Sequence, residues 1–188
     1  MRVRTSDFTD ALAGTPFAVC ADGVPWELTA SIEARLCTVL ATLDARDWVM
    51  QSDVAIHRSA TVEPGAQLKG PAVIGPDFFV SASALLRGGV WLGECCIVRP
   101  GCELKSSWLG AGSALAHLNF IGDSVIGSDV NFEAGSIVAN HRNEHDDKRI
   151  RVRIAGALHR LPITKFGALM GDGARIGANA VLAPGALL

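Results

Sequence analysis

The chain has 188 residues, 49% of them hydrophobic and 19% charged, which suits one main folded unit with a sizeable core and an appendage. Its net charge of -2 argues against a general nucleic-acid binder. No run approaches the roughly eighteen apolar residues that a membrane span needs.

In chain order, Met1 to Ser6 lead into no signal-peptide core. Residues 1–50 read as a segment of their own. Pro25 can open a helix in its first turn, and Leu28, Ile32, Leu36, Leu40 and Leu43 then form an apolar stripe at helical spacing.

Residues 51–188 carry a six-residue rhythm. Ile56, Val62, Leu68, Ile74, Val80, Leu86, Leu92, Val98 and Leu104 recur without a slip. The frame shortens by one residue to Leu109, Leu115 and Ile121, shortens again to Ile126, Phe132 and Val138, and ends on Met170, Ile176, Leu182 and Leu188. The fifth position of each hexad holds small residues (Ala60, Ala66, Ala72, Ala84, Cys96, Cys102), with only Phe78 and Val90 larger. The second position is often Gly, as at Gly75, Gly93, Gly110, Gly122, Gly127, Gly171 and Gly177. These glycines are expected to supply the permissive backbone of tight corners.

The pattern predicts an all-β fold, a single-stranded left-handed parallel β-helix with a short α-helical N-terminal cap. Three hexads close one triangular coil, and the first and fifth positions point inward. Six coils at the usual strand spacing of about 4.8 Å make a prism on the order of 30 Å long. The N-terminal helix is expected to cover the raw end of this solenoid.

The rhythm breaks at about 141–165, a polar and basic excursion. Its middle, Arg149 to Ile154, alternates charged and aliphatic residues and reads as a solvent-facing strand, one arm of a hairpin. Such an excursion suits a binding loop or a merely solvated hairpin. The five cysteines are odd in number and lack zinc-ligand spacing, so reduced thiols in the cytoplasm are expected.

Three hexads make eighteen residues, so residues eighteen apart stack on one face. Lys69, Arg87 and Lys105 have that spacing. Cations so close repel unless an anion sits between them, which points to a phosphorylated ligand. The alternative is that the side chains splay into water. His117, on a corner leading toward that face, is a candidate general base or a plain hydrogen-bonding residue. Glu103 is a candidate to orient it, though balancing Lys105 is the simpler role.

Arg87, the segment Arg99-Pro-Gly-Cys-Glu-Leu-Lys105, Leu109 to Asp123 and Val130 to Asn140 resemble the acetyltransferase domain of bifunctional N-acetylglucosamine-1-phosphate uridyltransferase. The resemblance covers roughly residues 54–188. Lys165 to Asn179 is more similar to the tails of archaeal-type sugar-phosphate nucleotidyltransferases. The resemblance implies a homotrimer, an acetyl-CoA cosubstrate without a metal, and an amino sugar phosphate or nucleotide-linked amino sugar as acceptor. By the same resemblance His117 is the base, Arg87, Lys105, Phe120, Asn131 and Lys148 contact substrate, and Ala134, Asn140 and Ala178 line the cofactor channel.

Phe120 and His141 stand where that family has tyrosines, Ala178 where its bacterial members place serine, and without a Gly-rich uridyltransferase domain in these 188 residues nucleotide transfer is not expected of them. Two other readings remain open. One is a non-catalytic sugar-phosphate-binding or scaffold protein. The other is a zinc site like that of γ-carbonic anhydrases, built from His117, His141 and His145.

Overall fold

Short parallel strands from successive coils lie side by side, so every sixth residue buries in the same direction. In the computed structural model, which describes residues 3–188, Ile56, Ile74, Leu92, Leu109, Ile126 and Met170 pair in register along a first face. Val62, Val80, Val98, Leu115, Phe132 and Ile176 line a second. Leu68, Leu86, Leu104, Ile121, Val138 and Leu182 line a third. The architecture is the expected left-handed parallel β-helix, with about seven coils rather than six. The strand Ala186–Leu187 begins the last of them.

All of these inward residues join one apolar core together with Ala60, Ala66, Ala72, Ala84, Cys96, Cys102, Phe78 and Val90. Leu188, in the coil at the edge of the stack, is instead 49% exposed. The two shortened steps leave the register intact. They are absorbed at corners where Ser106 and Asp123 take left-handed φ values of 48° and 47°.

The second-position glycines serve a different purpose from the one expected. None of them has a positive φ; that conformation falls to other corner residues such as Asp77, Ser83, Cys95 and Asp129. What demands glycine is the nearness of the next coil. A Cβ on Gly75 would lie 2.7 Å from the Leu92 carbonyl oxygen, and one on Gly110 would lie 2.6 Å from the Gly127 backbone. Both distances are below van der Waals contact.

The predicted helix spans Pro25–Leu40, opening at Pro25 and burying Leu28, Ile32 and Leu36. It packs on the side of the prism rather than over its end. The cause is a second apolar stripe, facing outward from the first face: Ala55, Val73, Trp91, Trp108, Val125 and Leu169 pair in register, each one residue before an inward position. Val3, Leu12, Phe17 and the helix cover it. The end of the prism is met by a different device. Trp48–Gln51 adds an antiparallel strand to Val54–His57, pairing the edge that the first coil would otherwise leave open.

The excursion contains the expected hairpin, Arg151–Ile154 against Ala157–Arg160. It faces solvent on one side only. Ile150 and Val152 are fully buried with Leu161 and Phe166 in the same cluster as the N-terminal segment. No helix of the described residues is long and apolar enough to cross a membrane.

Gly110→Ala should lower the unfolding free energy in urea by about 1–3 kcal/mol, the usual range for overpacking. Gly177→Ala, where an added Cβ meets nothing within 4 Å, should change it by less than about 0.5 kcal/mol. The thiols give a second check. Cys37 and Cys95 are exposed, whereas Cys20, Cys96 and Cys102 are buried and burial pushes their thiols up, Cys96 to about 12. A thiol reagent at pH 8 should therefore label two cysteines in the folded protein and five after unfolding.

Candidate active site

The third face projects columns of side chains outward. In one, Lys69, Arg87 and Lys105 stand side by side: Lys69 N–H donates to the Leu86 carbonyl, and Arg87 pairs in register with Lys105. The chain itself supplies the counter-ions for two of the three cations. Arg87 Nη2 and Nε reach Glu103 Oε1 at 2.5 and 2.7 Å. Lys105 Nζ lies 3.1 and 3.2 Å from the two Asp123 oxygens and 3.1 Å from Ser106 Oγ. Glu103 thus balances Arg87, not Lys105. It points outward from the strand that also carries Lys105, and Arg87 reaches it from the coil before. Lys69 makes no ion pair among the described residues.

Asp123 has a third partner, the Asn140 side-chain amide, whose Nδ2 donates to Oδ2. Phe120 closes the cluster. It pairs in register with Glu103, and a Cβ on Gly122 would lie 2.5 Å from Asn140 Nδ2 and 2.9 Å from Phe120 Cζ. Glycine at 122 leaves the space that the ring and the amide fill. Arg87, Lys105, Phe120 and Asn140 are therefore brought together, with Glu103 and Asp123 between them.

A second group lies on the corner between the second and third faces. His117 is exposed, and its side chain makes no hydrogen bond among the described residues. Its carbonyl accepts from Gly135 N–H at 2.8 Å, and the Ala134 carbonyl accepts from Asn179 N–H at 2.9 Å. His117, Ala134 and Ala178 thus stack coil upon coil. Ala178 N–H donates to Glu133 Oε2 at 3.1 Å, which fixes the third turn of the column.

Asn131 sits apart. It points outward from the second face, paired with Ala114 and Arg175, and lines a cleft of about 350 Å³. Lys148 lies half-buried in the irregular stretch before the hairpin, its Nζ donating to the Asn143 carbonyl at 2.7 Å. Neither joins the Arg87 and Lys105 cluster within one chain. Nor does one chain gather the three histidines of the zinc reading. His141 Nδ1 pairs with the Thr164 carbonyl and His145 Nε2 lies 3.2 Å from Glu144 Oε1. Among the described residues no three His, Cys, Asp or Glu side chains are grouped to hold a metal ion.

Asp123 is the residue that sequence reasoning passed over. The coil length here is 17 and sets Lys105 opposite Gly122, so Asp123 falls one position past the column, although it precedes Asn140 by one full coil of 17.

No protein-family model matches the chain. A bifunctional sugar-1-phosphate nucleotidylyltransferase/acetyltransferase of Sulfurisphaera tokodaii is 34% identical over 161 residues, covering 76% of this chain and 40% of that protein. The bifunctional protein GlmU of Methanococcus vannielii is 30% identical over 169 residues, 87% of this chain and 39% of the relative. The GlmU of Pseudarthrobacter chlorophenolicus is 35% identical over 147 residues, 76% and 29%.

The chain is thus similar in sequence to part of the GlmU-type bifunctional proteins. It spans less than half the length of these relatives. Among solved structures, the GDP-perosamine N-acetyl transferase of Caulobacter crescentus is 23% identical over 61% of this chain and 65% of that one. The TM-score of that match is 0.27.

Because the His117 side chain is exposed and unbonded, His117→Ala should shift the unfolding free energy by no more than about 0.5 kcal/mol in urea denaturation. Glu103→Ala should behave differently. It frees Arg87 and should strengthen binding of inorganic phosphate, read by calorimetric titration.

Proposed function

We propose that the chain is an acetyl-CoA-dependent N-acetyltransferase acting on an amino sugar phosphate or a nucleotide-linked amino sugar. The observation that carries this reading is the pairing of a cation column on the third face with an unbonded imidazole on the adjoining corner, in a chain homologous to GlmU-type acetyltransferases. Residues 51–188 are the catalytic solenoid and residues 1–50 an appendage along its flank.

The chemistry needs a nitrogen lone pair, which a sugar ammonium lacks at neutral pH. His117, as the neutral imidazole, removes one ammonium proton. Arg87 and Lys105 hold the phosphate oxygens and fix the sugar so that the amine nitrogen stays close to its target. Acetyl-CoA supplies the acyl group: the nitrogen bonds to the thioester carbon, the carbon–sulfur bond breaks, the leaving thiolate takes the proton held by His117, and the nitrogen's second proton passes to solvent as the neutral amide forms. Ala134 and Ala178 keep the corner free of bulk along the proposed cofactor channel. Asn140, with Nδ2 engaged by Asp123, has Oδ1 left to accept from an amide N–H of the cosubstrate. Phe120 offers an apolar ring in place of a hydroxyl, so it shapes the acceptor pocket by contact rather than by hydrogen bonding.

The working unit in this reading is a cytoplasmic homotrimer. The first face is covered by the N-terminal segment, while the third face and its corner leave Val181 70% and Leu118 68% exposed. A neighbouring prism laid there covers that apolar surface and closes a cleft over His117. Asn131 and Lys148, which stand away from the cluster in one chain, then contribute across the subunit boundary.

Purified protein should release thiol from acetyl-CoA in the presence of an amino sugar 1-phosphate or a nucleotide amino sugar. His117→Ala should lower kcat at least about a hundredfold, within the usual range for losing a general base. Binding of both ligands without turnover would instead identify a sugar-phosphate-binding protein. In solution the mass should be that of three chains, and a monomer would overturn the shared-cleft geometry.

A further inference from the structure

Asp123 occupies the point where the two halves of the proposed site meet. Its side chain is 10% exposed, and both carboxylate oxygens face Lys105 Nζ while Oδ2 also accepts from Asn140 Nδ2. Its backbone is fixed as well. Asp123 N–H donates to the Lys105 carbonyl at 2.8 Å, and its own carbonyl accepts from Gly167 N–H at 2.9 Å, where the excursion rejoins the prism. The excursion begins just after Asn140, whose carbonyl accepts from Phe166 N–H at 3.1 Å. One residue therefore ties the phosphate-side cation, the cofactor-side amide and the root of the excursion.

A carboxylate shared between an ammonium and an amide responds to either partner's ligand. We propose that Asp123 is a positioning residue that couples acceptor binding to cosubstrate binding, a proposal that rests on the acetyltransferase reading above. An acceptor phosphate at Lys105 draws the ammonium toward itself and weakens its hold on Asp123. The carboxylate is then left to Asn140, and the amide is held with Nδ2 toward Asp123 and Oδ1 outward, the orientation a cosubstrate N–H requires. In the absence of acceptor, Lys105 competes for the same oxygens and the amide is held less firmly. The two states differ in named contacts, which is the condition for a real coupling, and the effect must be reciprocal.

Calorimetric titration of the full chain with coenzyme A and with glucosamine 1-phosphate, each alone and at saturation with the other, tests this. In the wild type each ligand should tighten the other by the same factor, about fivefold or more. Asp123→Asn keeps a side chain that tolerates the left-handed backbone and retains one acceptor oxygen, but removes the charge. In that variant the mutual effect should shrink toward none even where each ligand still binds. Asn140→Ala, at a residue without a positive φ, should remove the coupling while leaving the Lys105 and Asp123 pair intact, and decides the matter should Asp123→Asn fail to fold. Independent affinities in the wild type, or coupling that survives in the variants, would overturn the proposal alone. A wild type that binds neither ligand would overturn the acetyltransferase reading and this proposal with it.

Discussion

The distance from one coil to the next, fixed by parallel strand pairing at about 4.8 Å, governs the rest of this molecule. Backbones held that close exclude a Cβ at Gly75, Gly93 and Gly110, and they bring side chains 17 or 18 residues apart into contact. The same distance makes a ladder of like charges untenable without counter-ions, and Glu103 and Asp123 answer for Arg87 and Lys105. Stacking therefore accounts for the core and for the cluster of charge on the third face by one geometric rule.

The inward residues were legible because the rhythm from Ile56 to Leu104 has no slips, and a one-position frame carries both the strand and its facing. Arg87 and Lys105 were legible for the same reason. The carboxylates were not, because each shortened step changes the coil length from 18 to 17 and moves partners by one position. Glu103 reaches back 16 residues to Arg87, a diagonal that no column count gives. The flank stripe was hidden differently. Ala55, Val73, Trp91, Trp108, Val125 and Leu169 look like ordinary variation at the sixth position until the register sets them in line. With that stripe unseen, the prism end was the natural place for the helix; with it in view, the side is the larger apolar surface.

In the proposed site, the charge cluster lets a face bind an anion without being strongly basic. Arg87 is half-buried and Lys105 more so, and a cation at such depth without a partner carries a heavy desolvation cost. Internal carboxylates remove that cost while the site stands empty of ligand. An arriving anion then exchanges one set of charge-assisted hydrogen bonds for another, so its affinity is the difference between them.

The excursion leaves the prism after Asn140 and returns at Phe166, two residues joined by a 3.1 Å hydrogen bond. On either side of it the coils keep their alignment, with Phe132 opposite Ile176 and Val138 opposite Leu182. The solenoid thus tolerates a detour at a corner without losing count. A detour whose two ends already touch adds little closure entropy as it lengthens. Each such corner is a socket, and a loop of new chemistry can be set into it while the prism keeps its shape.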